Sequence, residues 1–165
     1  MRRVRSKGRD KSQNLRQLAL DRLRFTEGLE MPVKVILDSN FLMIPFQFNL
    51  DIFQELEYLF QKKVDLVVPS AVKSELTQIS ARGGEGAAEA SLALQLASRC
   101  RVVEVALSPG ETVDDAIVKA SQKLGAVVAT NDIELKKKLR DINVPVVYLR
   151  DKSKLEVEGI EPAYF

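Results

Sequence analysis

Residues 33 to 40 read VKVILDSN, an aliphatic and β-branched run that ends on Asp38 and is followed by two small polar residues. The run is too apolar to leave one face in water, so it predicts a strand buried within a parallel sheet. A carboxylate at the end of such a strand is costly, because an ionised group loses hydration in the interior. Asp38 therefore calls for an explanation beyond the fold.

Four further apolar runs alternate with segments of helical periodicity. The predicted strands cover residues 33 to 38, 65 to 70, 101 to 107, 126 to 132 and 144 to 150. We expect helices over residues 49 to 63, 71 to 80, 87 to 99, 112 to 124 and 133 to 140, with the turn RGGEG before the third of them. This alternation predicts an α/β fold in which helices cover both faces of a mostly parallel sheet.

Two features of the composition restrict the chemistry. The 165 residues include no histidine and one cysteine, Cys100, so disulfide frameworks, Cys/His zinc sites and Ser-His-Asp or Cys-His nucleophiles are excluded within this chain. Cys100 is interpreted as a small buried residue, with a reactive thiol as the alternative. Hydrolysis by this chain would have to rely on carboxylates and a hard cation.

The net charge of +2 is unevenly distributed. Residues 1 to 30 hold nine Lys/Arg and four Asp/Glu, a net +5, and the remaining residues hold 16 and 19, a net −3. We therefore divide the chain into a basic arm (1 to 31), one globular domain (32 to 150) and a polar tail (151 to 165). The arm suits a polyanion; alternatively, it is a solvated tail, or its residues 12 to 25 form a helix whose leucines pack on the domain.

No apolar run is long enough to span a bilayer, and the charged N-terminus lacks a signal-peptide core. We expect a cytoplasmic protein without a membrane partner.

Acidic residues are concentrated where ligands bind in open α/β sheets, at the carboxyl ends of the strands. Asp38 ends the first strand, Asp132 ends the fourth, Glu75 lies in the helix after the second, and the pair Asp114-Asp115 opens the helix after the third. Neighbouring carboxylates disfavour one another's ionisation unless a cation offsets their charge. Mg²⁺ and Mn²⁺ prefer carboxylate and water oxygens, so they fit such a cluster.

Each of these acids also has a structural interpretation. The spacing of Thr112 and Asp115 is that of a capping box, so Asp115 could serve only to satisfy a backbone N–H. Asp132 could cap the following helix, and Glu75 could be a solvated helix residue. The shared position at one end of the sheet favours the functional interpretation of the set.

With their order and spacing, the segments ILDSN, VKSEL, DDAIVKA and ATNDIEL resemble the PIN-domain endoribonucleases over about residues 33 to 149. The resemblance implies a three-layer α/β/α PIN-like fold with a central, mostly parallel sheet of about five strands. The branch with the greatest similarity is that of the archaeal and eukaryotic PIN nucleases of small-subunit rRNA maturation, which also have a basic helix after the last acid. VapC toxins form the neighbouring branch.

The resemblance also implies roles for individual residues. Asp38, Glu75, Asp115 and Asp132 would be catalytic and would hold Mg²⁺ or Mn²⁺, with Asp114 as an additional or alternative ligand. Small polar residues beside the first and last acids, together with basic residues of the helix after Asp132, would contact RNA: Ser39, Asn40, Thr130, Asn131, Lys136, Lys137 and Arg140. Alternatively, the basic residues of this helix, Lys138 among them, are only a solvated face.

These observations predict a Mg²⁺- or Mn²⁺-dependent endoribonuclease that acts on rRNA or its precursor. One alternative is a VapC-like toxin, which would need an antitoxin partner. Another is a PIN module that binds RNA within an assembly without cleaving it. PIN domains often pair, so a homodimer is a further expectation.

Overall fold

The computed structural model describes residues 32–160, so the predicted basic arm and residues 161–165 lie outside the described part of the chain. Within it the strands are β1 (Val33–Leu37), β2 (Val64–Pro69), β3 (Arg101–Val103), β4 (Val127–Ala129), β5 (Val146–Arg150) and β6 (Lys154–Glu158). The helices are α1 (Ser39–Phe48), α2 (Ile52–Phe60), α3 (Ser70–Arg82), α4 (Ala87–Ala97), α5 (Val113–Leu124) and α6 (Ile133–Asp141).

The strands form one sheet in the order β3-β2-β1-β4-β5-β6, in which the first five strands are parallel. From β1 the chain moves outward to β2 and β3, and then crosses to β4 and β5 on the other side. Because parallel crossovers are right-handed, connections that run in opposite directions place their helices on opposite faces. The predicted α/β class and the mostly parallel, two-face-covered sheet are confirmed.

The predicted polar tail is wrong over residues 154 to 158. These residues form β6, which pairs antiparallel with β5 from Val146↔Glu158 to Arg150↔Lys154. The sequence KLEVE alternates polar and apolar residues, and Leu155 is buried, so the segment has the period of a strand with one covered face. The folded domain therefore extends past the predicted boundary at residue 150, and the sheet has six strands.

A helix that the sequence did not predict follows β1 directly. Helix α1 contains Pro45, which normally ends a helix when it lies in the interior. The helix continues nevertheless, and its residues Phe41, Leu42 and Ile44 are fully buried. Burial of this apolar face outweighs the local cost of the proline, which is why the local pattern was misleading.

The helix predicted over residues 49 to 63 is confirmed as α2, although it begins only after Asp51 and ends at Phe60; its residues Ile52, Leu56 and Phe60 are buried. The third predicted strand is shorter than expected and ends at Val103. The glycine-rich turn between α3 and α4 is confirmed by the positive φ of Gly83, Gly84 and Gly86. No helix within residues 32–160 is long and apolar enough to cross a membrane.

The carboxyl ends of the parallel strands lie along one edge of the sheet, and α1, α3, α5 and α6 begin at or after that edge. The N-terminus of a helix carries a partial positive charge and unpaired N–H groups, both of which favour nearby carboxylates. The edge can therefore accept a concentration of acidic side chains.

Candidate active site

The centre of this edge is the junction of β1 and β4, where the direction of the chain through the sheet reverses. In open α/β sheets this switch point opens a crevice in which ligands bind. Leu37 pairs with Ala129, so the residues that follow them, Asp38 and Thr130, leave the sheet side by side. The backbone N–H of Asp38 also donates to the carbonyl oxygen of Ala129, at 3.0 Å.

Asp38 is buried, with 4% of its surface exposed. Its Oδ1 accepts a hydrogen bond from the backbone N–H of Ser39 at 2.8 Å, and its Oδ2 accepts one from Thr130 Oγ1 at 2.7 Å. Burial raises the pKa of Asp38 from 3.8 to about 6, against the opposing effect of these two hydrogen bonds. The charges of Glu75 and Asp114 add to the rise. Asp38 therefore lies close enough to Glu75 and Asp114 for their charges to act on its carboxyl group.

Glu75 is brought to this site by α3, the helix that follows β2. Its Oε1 accepts a hydrogen bond from Ser39 Oγ, and Ser39 is itself buried beside Asp38. Ser39 therefore links two acids that are 37 positions apart in the chain. The structure confirms that these two predicted residues lie together.

Of the pair at the start of α5, the structure brings Asp114 rather than Asp115 to the other acids. Asp115 completes a capping box: its Oδ2 accepts from the backbone N–H of Thr112 at 2.7 Å, and its own N–H donates to Thr112 Oγ1 at 3.4 Å. These contacts with Thr112 lower the pKa of Asp115. Its carboxylate is occupied in holding the helix, as the capping-box spacing had indicated.

Asp114 has the opposite electrostatic environment. Burial is the main cause of its raised pKa, and the charges of Asp132 and Glu75 raise the pKa further. Asp38, Glu75, Asp114 and Asp132 therefore form one electrostatically coupled set, which we call the acid site. The structure therefore brings Asp114 to the other acids, whereas the resemblance had selected Asp115 as a ligand, with Asp114 as an additional or alternative one.

Asp132 is both a helix cap and a member of the acid site. Its Oδ1 accepts hydrogen bonds from the N–H groups of Glu134 and Leu135, at 2.9 and 3.2 Å. Within residues 32–160, its Oδ2 accepts no hydrogen bond, so this oxygen is available to a ligand. The structural and functional interpretations of Asp132 thus apply to different oxygens of one carboxylate.

The small polar residues beside the acids connect the strand ends to each other. Thr130 is completely buried and bridges two acids, because its Oγ1 donates to Asp38 and accepts from the N–H of Asp132 at 3.1 Å. The side-chain oxygen of Asn40 accepts from the N–H of Asn131 at 3.2 Å, and that of Asn131 accepts from the N–H of Leu149 at 2.8 Å. Thr130, predicted to contact RNA, thus has no exposed surface in this structure, and its hydroxyl is engaged by the two acids.

Two of the basic residues predicted to contact RNA are engaged within the domain. Lys136 Nζ lies 2.9 Å from Glu158 Oε1 and 3.7 Å from the ring centroid of Tyr148. Arg140 Nη1 donates to the carbonyl oxygen of Val144 at 3.3 Å, and its guanidinium packs on Gly159. Both side chains therefore attach α6 to the β5 and β6 side of the domain.

Cys100 does not take part in the acid site. It is half-buried against the core, and burial raises the pKa of its thiol to about 11. A thiol with this pKa remains protonated at neutral pH, which agrees with a structural role.

The acid site has the donor chemistry of a Mg²⁺ or Mn²⁺ site, because it offers carboxylate oxygens. A cation would offset the cost of burying Asp38 and Asp114 as charged groups, and also the repulsion from neighbouring acids that adds to the rise of their pKa values. Across the described part of the chain, no group of three or more Asp, Glu or Cys side chains is arranged so that it could hold a metal ion by itself. Mg²⁺ does not require one, since it usually keeps several waters and takes only one or two protein carboxylates.

Comparison with known families gives a match to the profile described as "PIN like domain" over residues 35–152. The chain belongs to this PIN-like family. The matched region contains all four members of the acid site.

Two curated relatives have different described activities. The chain is 31% identical to ribonuclease VapC4 of Methanocaldococcus jannaschii over 129 residues, which covers 77% of this chain and 98% of VapC4. It is 30% identical to the rRNA-processing protein fcf1 of Schizosaccharomyces pombe over 140 residues, covering 83% of this chain and 69% of that protein.

Among solved structures, the PIN domain endonuclease Utp24 superposes with a TM-score of 0.64 at 28% identity, and the match covers 78% of this chain and 93% of that structure. The PIN fold predicted from the sequence is thus confirmed, and both expected branches, the rRNA-processing and the VapC proteins, are present among the relatives.

Proposed function

We propose that this PIN-like protein is a metal-dependent endoribonuclease whose active centre is the acid site. The observation that carries the proposal is the convergence of Asp38, Glu75 and Asp114 in one electrostatic environment, with the open oxygen of Asp132 on the same edge. Burial raises the pKa of Asp38 and of Asp114, and the charges of neighbouring acids raise both values further, with no direct ion pair to residues 32–160 to offset them. Such an arrangement is typical of functional sites.

In this proposal Asp38, Glu75, Asp114 and Asp132 would hold Mg²⁺ or Mn²⁺. When bound, the ion would lower the pKa of a coordinated water and stabilise the negative charge that develops on the phosphate. The chain itself fixes the carboxylates: Thr130 sets the orientation of Asp38, Ser39 sets that of Glu75, and the N–H groups of α6 set that of Asp132. Asp115 would support the site only by holding the start of α5.

We further propose rRNA or its precursor as the substrate. The similarity to fcf1 and to Utp24 supports this choice, and so does the net +5 of residues 1 to 30, which suits a large structured polyanion. The 31% identity to VapC4 along almost its full length supports the second candidate, a VapC-like toxin ribonuclease with an antitoxin. The cytoplasmic location and the homodimer stay predictions.

The deciding experiment is cleavage of structured and single-stranded RNAs with Mn²⁺, Mg²⁺ or chelator. The parent protein is compared with Asp38→Asn and with Asp141→Asn, which removes the same charge from the exposed end of α6. We expect cleavage by the parent and by Asp141→Asn, but neither by Asp38→Asn nor in chelator. Equal cleavage by all three proteins would identify a contaminating nuclease and contradict the proposal.

The same proteins distinguish a module that binds RNA without cleaving it. For the enzyme, Mn²⁺ should raise the thermal midpoint of the parent, because a ligand that binds only the folded state stabilises it. The shift should be much smaller for Asp38→Asn. RNA binding by a parent protein that neither cleaves nor responds to metal would favour the non-cleaving module.

Cleavage at one site of a precursor rRNA fragment would support the rRNA-maturation nuclease over the VapC-like toxin.

A further inference from the structure

The basic residues of α6 occupy three different sides of the helix. Leu135 and Leu139, four residues apart, lie on the buried side against the sheet. With 3.6 residues per turn, Lys136 and Lys138 then project from opposite flanks, and Lys137 lies between them on the outer side. The run KKK at residues 136 to 138 is therefore not one basic patch.

The flank of Lys136 faces β5 and β6, where Lys136 meets Glu158 and Tyr148. Arg140 lies on the same side, through its contacts with Val144 and Gly159. The opposite flank faces α5, because α5 and α6 belong to crossovers that run in the same direction and so share one face of the sheet. Lys138 is the basic residue on that flank.

Lys138 also lies at the height of the acid site. It is six residues after Asp132, about 9 Å along the helix axis, and helical side chains lean toward the N-terminus, here toward Asp132. Burial and the charge of Asp132 raise the pKa of Asp114, and the Lys138 ammonium opposes that rise. Lys138 is exposed and makes no direct ion pair with any other residue from 32 to 160.

We propose that Lys138 binds a backbone phosphate of RNA at the rim of the acid site, while Lys136 and Arg140 serve to attach α6 to the domain. A flexible ammonium near carboxylates, but without a direct ion pair, can turn toward an incoming phosphate at little cost. The contact would hold the chain of RNA next to the acids. This inference rests on the proposed function in taking RNA as the ligand.

The test uses the full chain with Asp38→Asn, which is expected to bind RNA without cutting it. Fluorescence anisotropy measures its affinity for a labelled uridine oligonucleotide and for a labelled stem-loop RNA at several salt concentrations. Lys138→Gln, Lys138→Arg, Lys137→Gln and Lys123→Gln are compared in this background; Lys123 is exposed at the far end of α5.

For Lys138→Gln we expect a loss of affinity on the order of tenfold, the usual effect of a charge-assisted hydrogen bond. The slope of log affinity against log salt should fall by about 0.7 for the single strand, which corresponds to one phosphate. Lys138→Arg should retain most of both quantities. Lys137→Gln should lose less, and Lys123→Gln should match the background protein.

Equal losses for Lys137→Gln and Lys138→Gln would overturn the inference, because they would indicate a diffuse charge effect. A loss with an unchanged salt slope would overturn it as well, since Lys138 would then act on its acidic neighbours and not on RNA. So would a failure of the background protein to bind either RNA. A selective loss of affinity for Lys138→Gln, together with no cleavage by the protein that retains Asp38, would refute only the proposed nuclease. Cleavage by the protein that retains Asp38, together with an unchanged affinity for Lys138→Gln, would refute only this inference.

Discussion

The ionised form of Asp38 that would bind a cation is also the form that destabilises the fold, because the residue is buried. Its pKa rises from 3.8 to about 6, so in the metal-free protein the native state binds a proton that the unfolded chain has already lost between these values. The free energy of unfolding should therefore fall as pH rises through this range, by about 2 to 3 kcal/mol from this group. Ionisation destabilises the fold but prepares the carboxylate for a cation.

Urea denaturation in chelator between about pH 4 and pH 7 measures this effect. Asp38→Asn cannot titrate, so it should lack this component and should gain stability relative to the parent as pH rises from about 4 to about 6, with little further change above that range. Parallel pH profiles for the two proteins would show that Asp38 is ionised in the native state throughout, contrary to this expectation.

The pair Asp114 and Asp115 separates chemistry from helix capping at adjacent positions. Asp114→Asn should abolish cleavage and reduce metal-induced stabilisation, because it removes a carboxylate from the acid site. Asp115→Asn should lower the thermal midpoint, since it weakens the capping box with Thr112, and should leave metal-dependent cleavage largely intact. Cleavage rates and melting curves of both variants test these two roles. Loss of cleavage for Asp115→Asn, with cleavage retained by Asp114→Asn, would identify Asp115 as the ligand.

At the scale of elements, the acid site depends on side chains that tie the end of β4 to its neighbours. Thr130 connects Asp38 after β1 with the start of α6. Thr130→Val keeps the branched shape but removes the hydroxyl, which should cost about 1 to 3 kcal/mol because Asp38 loses a donor. It should also raise the pKa of Asp38 further. Thr130→Ser keeps the hydroxyl and serves as the control.

Denaturation curves and the pH dependence of cleavage would reveal both effects of Thr130→Val. The midpoint of the pH–rate profile should shift to higher pH for Thr130→Val and stay in place for Thr130→Ser. If Thr130→Val lowered stability without moving the profile, the hydroxyl would support the fold but would not tune Asp38.

The elements also show how far the sequence could lead. Periodicity predicted the five parallel strands and most helices, because burial on both faces produces long apolar runs. It did not predict α1, because a proline within a helix is locally unfavourable. It also did not predict β6, because polar residues alternate with apolar ones in a strand that is covered on one face only. Both elements form only because neighbours cover their apolar sides, and a local pattern does not contain that information.

The candidate site was predictable to a similar extent. The position of Asp38, Glu75 and Asp132 at one edge follows from the parallel direction of the strands, which the alternation of elements implies. Which of Asp114 and Asp115 faces the other acids depends on which of them forms the capping box with Thr112. Which sides of α6 carry Lys136, Lys137 and Lys138 depends on the face that this helix buries. Leu135 and Leu139, at helical spacing, were the available signal for that face.

At the scale of the whole molecule, charge is divided between an acidic domain and the basic residues that precede it. Residues 1 to 30 carry a net +5 and the rest of the chain −3, so the domain alone would repel RNA at long range. We therefore expect the first residues to supply much of the affinity, and the acid site to supply the chemistry. Replacing Arg2, Arg3 and Arg5 by Gln in the full chain tests this division.

The triple variant should bind RNA more weakly, with a slope of log affinity against log salt that is shallower by up to about 2, if each arginine neutralises one phosphate. Cleavage at saturating RNA should be unchanged, because the acid site is intact. A control with the same change in charge, at Lys62, Lys63 and Lys123 on the opposite edge of the sheet, should have a smaller effect. Equal effects of the two triples would mean that RNA responds to net charge alone, and the basic segment would then have no specific role in binding.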